Sequence, residues 1–426
     1  MKKLVKNVFG LAKSDTAKDT AILFSGNGLT AFLGFLFTIV IARVLSVSDF
    51  GIFSAVSNLI IILVSLSDLG LSSGVVSFGS VFFSKNDDKK ANEYVKAAFN
   101  IKLAVSIVLS LGITIFAGYV SKNWLANDNK ETAYWVAFIS LLFIGGTFLP
   151  FILQAKKLFL KSVLIDVSVS LFKALIPFIF FSLGILSLRT TFFAYGLSVF
   201  ISLIVGFLFT GTKFLSAKPN KKIYSDLANF SGWIGVNRII SSISGKLDIQ
   251  MLAAMAGSVA TGIYAIPSRL SSLIIVLSSS FANVLAPRFS SFNNKEDEKK
   301  YLLKSSLVTL GIIVLIVIWI LIAKPFITIL FGDKYLSAVP IFQALCIGLI
   351  PYMSAVPSVT AIIYAMKKTI YIGMFSFFQI AAIFILNFVL IPKYGTFGPT
   401  ITFGVVNTIL AIYSWIIVIN YYNKND

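Results

Sequence analysis

The chain has 426 residues, 57% of them hydrophobic and only 12% charged, with 36 basic against 17 acidic side chains, no histidine and one cysteine, Cys346. A soluble domain usually carries about a quarter of its residues as charges, so a soluble fold would leave this chain with large apolar patches, and it reads as a polytopic membrane protein. The lack of histidine excludes His-based acid/base work, His-ligated metals and histidine triads, and the single cysteine excludes an internal disulfide or a Cys-rich metal site, so no cofactor is expected.

The first twenty residues are too polar for the apolar core of a signal peptide. Within them, Leu4, Val8 and Leu11 share one helical face and Lys3, Lys6, Gly10 and Lys13 another, which reads equally as an interfacial helix or as a basic tether. Twelve apolar runs follow, at roughly 21–42, 51–83, 97–120, 132–153, 162–185, 189–210, 230–253, 262–284, 303–323, 336–364, 370–391 and 398–420. Runs of this length predict helices rather than barrel strands. The net charge of +19 would point to nucleic acid on a soluble domain. Here the basic residues sit in short loops between runs, so no nucleic-acid partner is expected and the charge reports topology. With a cytoplasmic N-terminus, the outer loops hold only Arg43, Lys122, Lys130, Arg189, Lys324, Lys334 and Lys393, while most other basic residues, Lys102 counted among them, fall inside. That bias places both termini in the cytoplasm.

Polar residues recur at helical spacing inside several runs. The first run aligns Asn27, Thr30, Gly34 and Thr38, and the second aligns Ser54, Asn58, Ser65 and Asp68. The fifth aligns Asp166, Ser170, Lys173 and Pro177. The seventh aligns Asn237, Ser241, Ser244 and Asp248, with Arg238 beside them and Lys246 half a turn away. The eighth aligns Arg269, Ser272, Ser280 and Asn283. An ionised group at mid-membrane costs roughly 2.5–3.5 kcal/mol, so these charges are expected to face a wet cavity or one another. Asp68 and Asp166 lie near run ends, where capping or anchoring also explains them, and Arg238 with Asp248 can be read as a structural ion pair. Lys173 follows Lys161 by a stretch that rises about 18 Å along a helix, too deep to snorkel easily. Basic groups in a low-dielectric cavity suit an anion, with arginine matching phosphate in particular, and Ser/Asn stripes suit hydroxyl-rich cargo.

The basic loop 211–229, which contains Pro219, divides the runs six and six. Ser25-Gly26 opens the first run as Ser231-Gly232 opens the seventh. The segment Ser46-Val47-Ser48-Asp49-Phe50-Gly51-Ile52-Phe53 is echoed by Ser258-Val259-Ala260-Thr261-Gly262-Ile263-Tyr264. An even number of spans per half makes the repeats parallel. The expected architecture is all-α, with twelve transmembrane helices in two six-helix lobes (1–210 and 230–426, joined by 211–229) around a central cavity.

Ordered motifs carry a resemblance. Ala42-Arg43-Val44-Leu45-Ser46-Val47-Ser48-Asp49-Phe50-Gly51 is similar to A-R-x-L-G-x-x-D/E-F/Y-G, with Ser46 where glycine is usual. Asp68-Leu69-Gly70-Leu71 is similar to D-L-G-L/F, and Asp248 with Gly262-Ile263-Tyr264-Ala265 to D…G-x-Y-x-x-A/P. Phe331-Gly332-Asp333-Lys334-Tyr335 and Ile391-Pro392-Lys393-Tyr394-Gly395 through Gly398 complete the series. The chain resembles the Wzx-type O-antigen and polysaccharide flippases of the MOP (multidrug/oligosaccharidyl-lipid/polysaccharide) exporter superfamily. That resemblance implies a MATE/MOP-like fold in the bacterial cytoplasmic (inner) membrane. It further implies flipping of undecaprenyl-pyrophosphate-linked oligosaccharide from the cytoplasmic to the outer leaflet by alternating access. The expected partners are that lipid, membrane lipids, a coupling H+ or Na+, and the polysaccharide polymerase machinery. Cavity residues are expected at Arg238, Arg269, Lys173, Asn237, Asn283 and Asn58, and ion-coupling carboxylates at Asp248, Asp68 and Asp166.

Two other readings compete. A MATE-like drug–cation antiporter would favour an acidic, aromatic cavity, against which the basic residues of runs five, seven and eight count. A membrane glycosyltransferase or polymerase would need a carboxylate cluster or a large outer loop, and neither is visible, nor is a phosphate-binding Gly-rich loop for ATP. The chain therefore reads as a transporter and not an enzyme.

Overall fold

The computed structural model describes residues 15–292 and 294–423, apart from the side chains of residues 15–17, 145, 233, 234 and 237. The interfacial helix expected at 3–13 lies outside the described residues. Among the described residues every regular element is helical: α1 (Asp15–Val44), α2 (Val47–Asp68), α3 (Leu71–Ser84), α4 (Asp88–Ile115), α5 (Ala117–Trp124), α6 (Glu131–Ala155), α7 (Phe159–Ser182) and α8 (Leu188–Thr210). A 3-10 turn (Lys213–Ser216) leads to α9 (Lys221–Ser244), α10 (Leu247–Ser291) and α11 (Lys295–Phe331). A second 3-10 turn (Asp333–Tyr335) precedes α12 (Ala338–Tyr364), α13 (Thr369–Tyr394) and α14 (Phe397–Asn423).

Eleven of these helices are long and apolar enough to cross a membrane, and α9 is not one of them. Asn229, Asn237, Arg238 and its serines make α9 markedly more polar than its neighbours. The chain is a multi-pass, all-α membrane protein. Large apolar side chains such as Leu310, Val314, Leu321 and Ile329 on α11 point away from the protein, as lipid-facing residues do.

Three runs that read as single helices are broken, one of them, 97–120, at Phe116 between α4 and α5. The run 51–83 is α2 and α3, because Leu69 (φ 46°) and Gly70 (φ 76°) take left-handed backbone that no helix continues through. Gly70 is also required by space: a Cβ there would stand 2.7 Å from the Ser231 carbonyl oxygen and 2.8 Å from the Gly235 nitrogen. The run 230–253 is the end of α9 and the start of α10, separated at Gly245-Lys246, with Lys246 in a non-helical N-cap conformation. Inside α10, Gly257 (φ 83°, ψ −179°) interrupts the helix once more. Other starts are capped as their residues dictate. Asp87 accepts the Lys90 N–H at 3.1 Å, Asn294 accepts that of Asp297 at 2.8 Å, and Ser187 with Thr190 forms a capping box.

The chain divides into two compact units. The first comprises residues up to Ser46, Val56–Lys122 and Asp128–Ser242, so it includes nearly all of α9. Its core joins Leu71 and Val75 of α3, Tyr94 and Val95 of α4, Phe148, Leu149, Ile152 and Leu153 of α6, Phe214 of the turn, and Ile223 and Leu227 of α9. Tyr94 donates to Asp226 at 2.9 Å and Asn100 to the Tyr224 hydroxyl at 3.0 Å, which ties α4 to the start of α9. The second unit comprises Val47–Ala55, Asn123–Asn127 and Ile243–Asp426. One of its clusters gathers Leu285, Phe289, Leu302, Ile362, Val418 and Tyr422, and Tyr422 donates to buried Glu298 at 3.1 Å. Another gathers Ile249, Leu252, Tyr264, Ile341, Leu345 and Ile391.

Candidate functional site

In the first unit, the left-handed turn at Leu69-Gly70 presents Asp68, the last residue of α2, to three donors. Lys102 Nζ of α4 lies 3.0 Å from Oδ1, Arg238 Nη1 of α9 lies 3.2 Å from Oδ2, and Ser72 of α3 also donates to Oδ1. Ser242 of α9 donates to Ser65 of α2 at 2.7 Å one turn away. The three charged groups differ sharply in access: the Lys102 side chain is 1% exposed, Asp68 13% and Arg238 45%. Lys102 also lies 5.8 Å from the Phe148 ring centroid. The cluster holds two cations and one anion, and its surplus positive charge is accessible through Arg238.

This arrangement revises two readings of the sequence. The sequence pattern places Lys102 with the cytoplasmic loops, yet in the structure it is a buried ion-pair partner. The signal that reveals it is its position inside the apolar run 97–120. On one continuous helix, Arg238 with Asp248 can be read as a structural ion pair. The break at Gly245-Lys246 ends that register, and Arg238 pairs with Asp68 instead.

Of the other cavity candidates in this unit, Lys173 on α7 is held between two rings, 3.9 Å from the Tyr195 centroid and 4.9 Å from that of Phe37. Such stacking lets an ammonium reside deep in an apolar helix. Asn58 is buried on α2. Asp166 on α7 is half-buried and, among the described residues, makes no hydrogen bond or ion pair. Asn237 is on α9, and its side chain lies outside the described residues.

In the second unit, Asp248 near the start of α10 accepts the Tyr264 hydroxyl at 2.9 Å and the Ile249 N–H at 2.7 Å. The two ends of the D…G-x-Y pattern therefore close on each other across the Gly257 interruption. The Arg269 guanidinium lies 5.3 Å from the Phe50 ring centroid and 6.0 Å from that of Phe53. Phe50 in turn meets Tyr335 edge-on at 6.0 Å. Burial raises the Tyr335 hydroxyl above its ordinary pKa, and the charge of Arg269 opposes that shift. Asn283 is exposed on α10.

The other motifs account for chain geometry. A Cβ on Gly51 would strike the carbonyl oxygen of Ser258, and one on Gly262 would strike that of Val47. Ser48 and Ser258 hydroxyls hydrogen-bond at 2.8 Å in the same crossing. Gly398 packs on the backbone of Ile391, where a Cβ would come within 2.7 Å of the nitrogen.

The chain is 25% identical over 421 residues to the capsular polysaccharide biosynthesis protein CapF of Staphylococcus aureus, covering 95% of this chain and 98% of that protein. It is 24% identical over 403 residues to an uncharacterized membrane protein in the cps region of Klebsiella pneumoniae, covering 90% and 78%. Among solved structures, it superposes on the lipid II flippase MurJ in an inward closed conformation with a TM-score of 0.74 at 15% identity, covering 93% of this chain and 87% of that one. An inward-facing MATE family multidrug transporter of the MOP superfamily gives 0.72 at 13% identity, covering 93% and 96%. At such identities the likeness is one of fold. The family model described as polysaccharide biosynthesis protein matches residues 16–293, about two thirds of the length. The chain belongs to that polysaccharide biosynthesis protein family.

Proposed function

We propose that this protein is a flippase that carries undecaprenyl-pyrophosphate-linked oligosaccharide from the cytoplasmic to the outer leaflet of a bacterial inner membrane by alternating access. Its termini are cytoplasmic, in keeping with the lysine-rich inner loops, and α9 serves as the polar seventh of twelve crossings in two six-helix lobes. The reading is supported by family membership and by the MurJ-like fold. The observation that carries it is the charge surplus at Arg238: a half-exposed guanidinium on a membrane-embedded cluster suits the pyrophosphate of such a lipid. Lys173 and Arg269 are further cavity cations, and Asn58, Asn237 and Asn283 are hydrogen-bonding groups for sugar hydroxyls. Transport needs no bond chemistry, and its drive is a coupled H+ or Na+ or the membrane potential, worth about 2.3 kcal/mol per charge per 100 mV. Of the coupling carboxylates Asp68, Asp166 and Asp248, Asp166 is the one without an ion pair or hydrogen bond among the described residues, which favours it.

The MATE-like fold keeps a drug–cation antiporter as the second reading. Deleting the gene in its host separates the two. Loss of surface polysaccharide, with lipid-linked repeat units accumulating on the cytoplasmic leaflet, is expected, and the wild-type gene restores the polymer. Arg238→Ala is expected to restore tenfold less, about 1.4 kcal/mol of lost anion stabilisation, with Lys173→Ala and Arg269→Ala also impaired. Unchanged surface glycan with altered sensitivity to cationic drugs would replace the flippase with the antiporter.

A further inference from the structure

Lys102 poses a physical problem. It is an ammonium with a fully buried side chain in an apolar helix, and burial of that kind is uphill unless the charge is paired. Its partner Asp68 is also the ion-pair partner of Arg238. One carboxylate is thus shared by a sealed cation and an accessible one. Lys102 and Ser72 both take Oδ1, leaving Oδ2 for Arg238. Were Lys102 absent, Asp68 would serve Arg238 alone, and the pair would be neutral. With Lys102 present, the carboxylate is already compensated from behind, and Arg238 presents the net charge of the cluster to any ligand that reaches it.

We infer that Lys102 is a positioning residue that sets the strength of a diphosphate-binding site at Arg238 by neutralising Asp68. The ligand class follows from the guanidinium: a planar, permanently charged fork binds phosphate oxygens two at a time. Lys102 itself touches no ligand, because its side chain is sealed from the outside. The inference rests on the flippase reading only for the lipid that bears the diphosphate. The electrostatic logic is independent of it and makes affinity follow cluster charge: +1 with all three groups, 0 without Lys102, and +1 again without both Lys102 and Asp68.

The test is calorimetric binding of inorganic pyrophosphate to the purified full chain in detergent, with monodispersity checked for each variant. Lys102→Met is expected to weaken binding about tenfold, the double variant Lys102→Met/Asp68→Asn to recover to within about threefold of wild type, and Arg238→Ala to abolish saturable binding. If Lys102→Met is not monodisperse, Lys102→Gln replaces it, since an amide still donates to Oδ1 but carries no charge. A purely structural role predicts lower melting temperature with unchanged pyrophosphate affinity. That result overturns the inference, as does a double variant no better than the single one or a wild type that does not bind pyrophosphate. The same variants in the deletion strain separate the two levels. If Arg238→Ala supports normal surface polysaccharide, the flippase reading fails at this site. If it does not, while Lys102→Met binds pyrophosphate as wild type does, only the role of Lys102 fails.

Discussion

Asp68→Ala is expected to cost about 3–5 kcal/mol of stability, enough to lower the yield of folded protein severely, because it strands Lys102. Two cations depend on this one carboxylate, and one of them has a side chain only 1% exposed. Arg238 can turn its guanidinium outward when Asp68 is lost, but Lys102 has no such escape. Removing Lys102 instead is the milder change, since Asp68 keeps Arg238 and Ser72. The asymmetry makes a double-mutant cycle decisive: Lys102→Met/Asp68→Ala should melt well above Asp68→Ala alone. Thermal unfolding in detergent, read by loss of monodisperse protein, checks both expectations. An Asp68→Ala protein that melts with the wild type would show that Lys102 is not held by this pair.

Gly262→Ala is expected to be the other damaging change, and Gly51→Ala its counterpart. At each position the added methyl meets a backbone carbonyl, of Val47 or of Ser258, and a backbone cannot step aside as a side chain does. The two contacts are mutual: Gly51 and Gly262 are separated by the same 211 residues as Val47 and Ser258. The crossing is therefore between matching segments of the two halves of the sequence, each glycine lying against its partner's preceding turn. Overpacking of this kind costs typically about 1–3 kcal/mol, and more where only main chain can move. Gly112→Ala on α4, where a Cβ meets nothing within 4 Å, is the control and should be neutral or gain about 0.5–1 kcal/mol from reduced backbone freedom. Equal melting temperatures for Gly262→Ala and Gly112→Ala would mean that the crossing is loose.

Much of this architecture was legible in the sequence because lipid simplifies the code. Residues such as Leu310, Val314 and Leu321 need only be apolar over the length of a span, so the runs of α6 to α8 and α11 to α14 could be located by length alone. The motif order pointed to the family for a related reason: Gly51, Gly70, Gly262 and Gly398 sit where two backbones touch, and such positions admit little but glycine. Helix breaks inside polar stretches were harder to see. The run 230–253 mixes apolar residues with Asn237, Arg238, four serines, Lys246 and Asp248, and Gly245 allows a helix break without requiring one, so the sequence leaves an Arg238–Asp248 pair open. Their true partners, Asp68 and Tyr264, lie 170 and 16 residues away, and only tertiary packing brings them together. From the sequence alone Lys102 reads as a topology marker, as a lysine near the start of an apolar run does. Its depth inside 97–120 and the lone Asp68 at the end of α2 were the available hints that two costly charges would seek each other.

The proposed activity is transfer of a diphosphate-linked oligosaccharide lipid across a bilayer. The most direct test is reconstitution of the purified protein into vesicles carrying undecaprenyl-pyrophosphate-linked oligosaccharide, with exposure of the sugar on the opposite leaflet followed over time. Wild-type vesicles should expose the sugar at least tenfold faster than protein-free vesicles, and Arg238→Ala vesicles should fall close to the protein-free rate. Wild-type vesicles no faster than empty ones, under an imposed ion gradient or membrane potential as well as without, would show that the chain is not a flippase for this lipid.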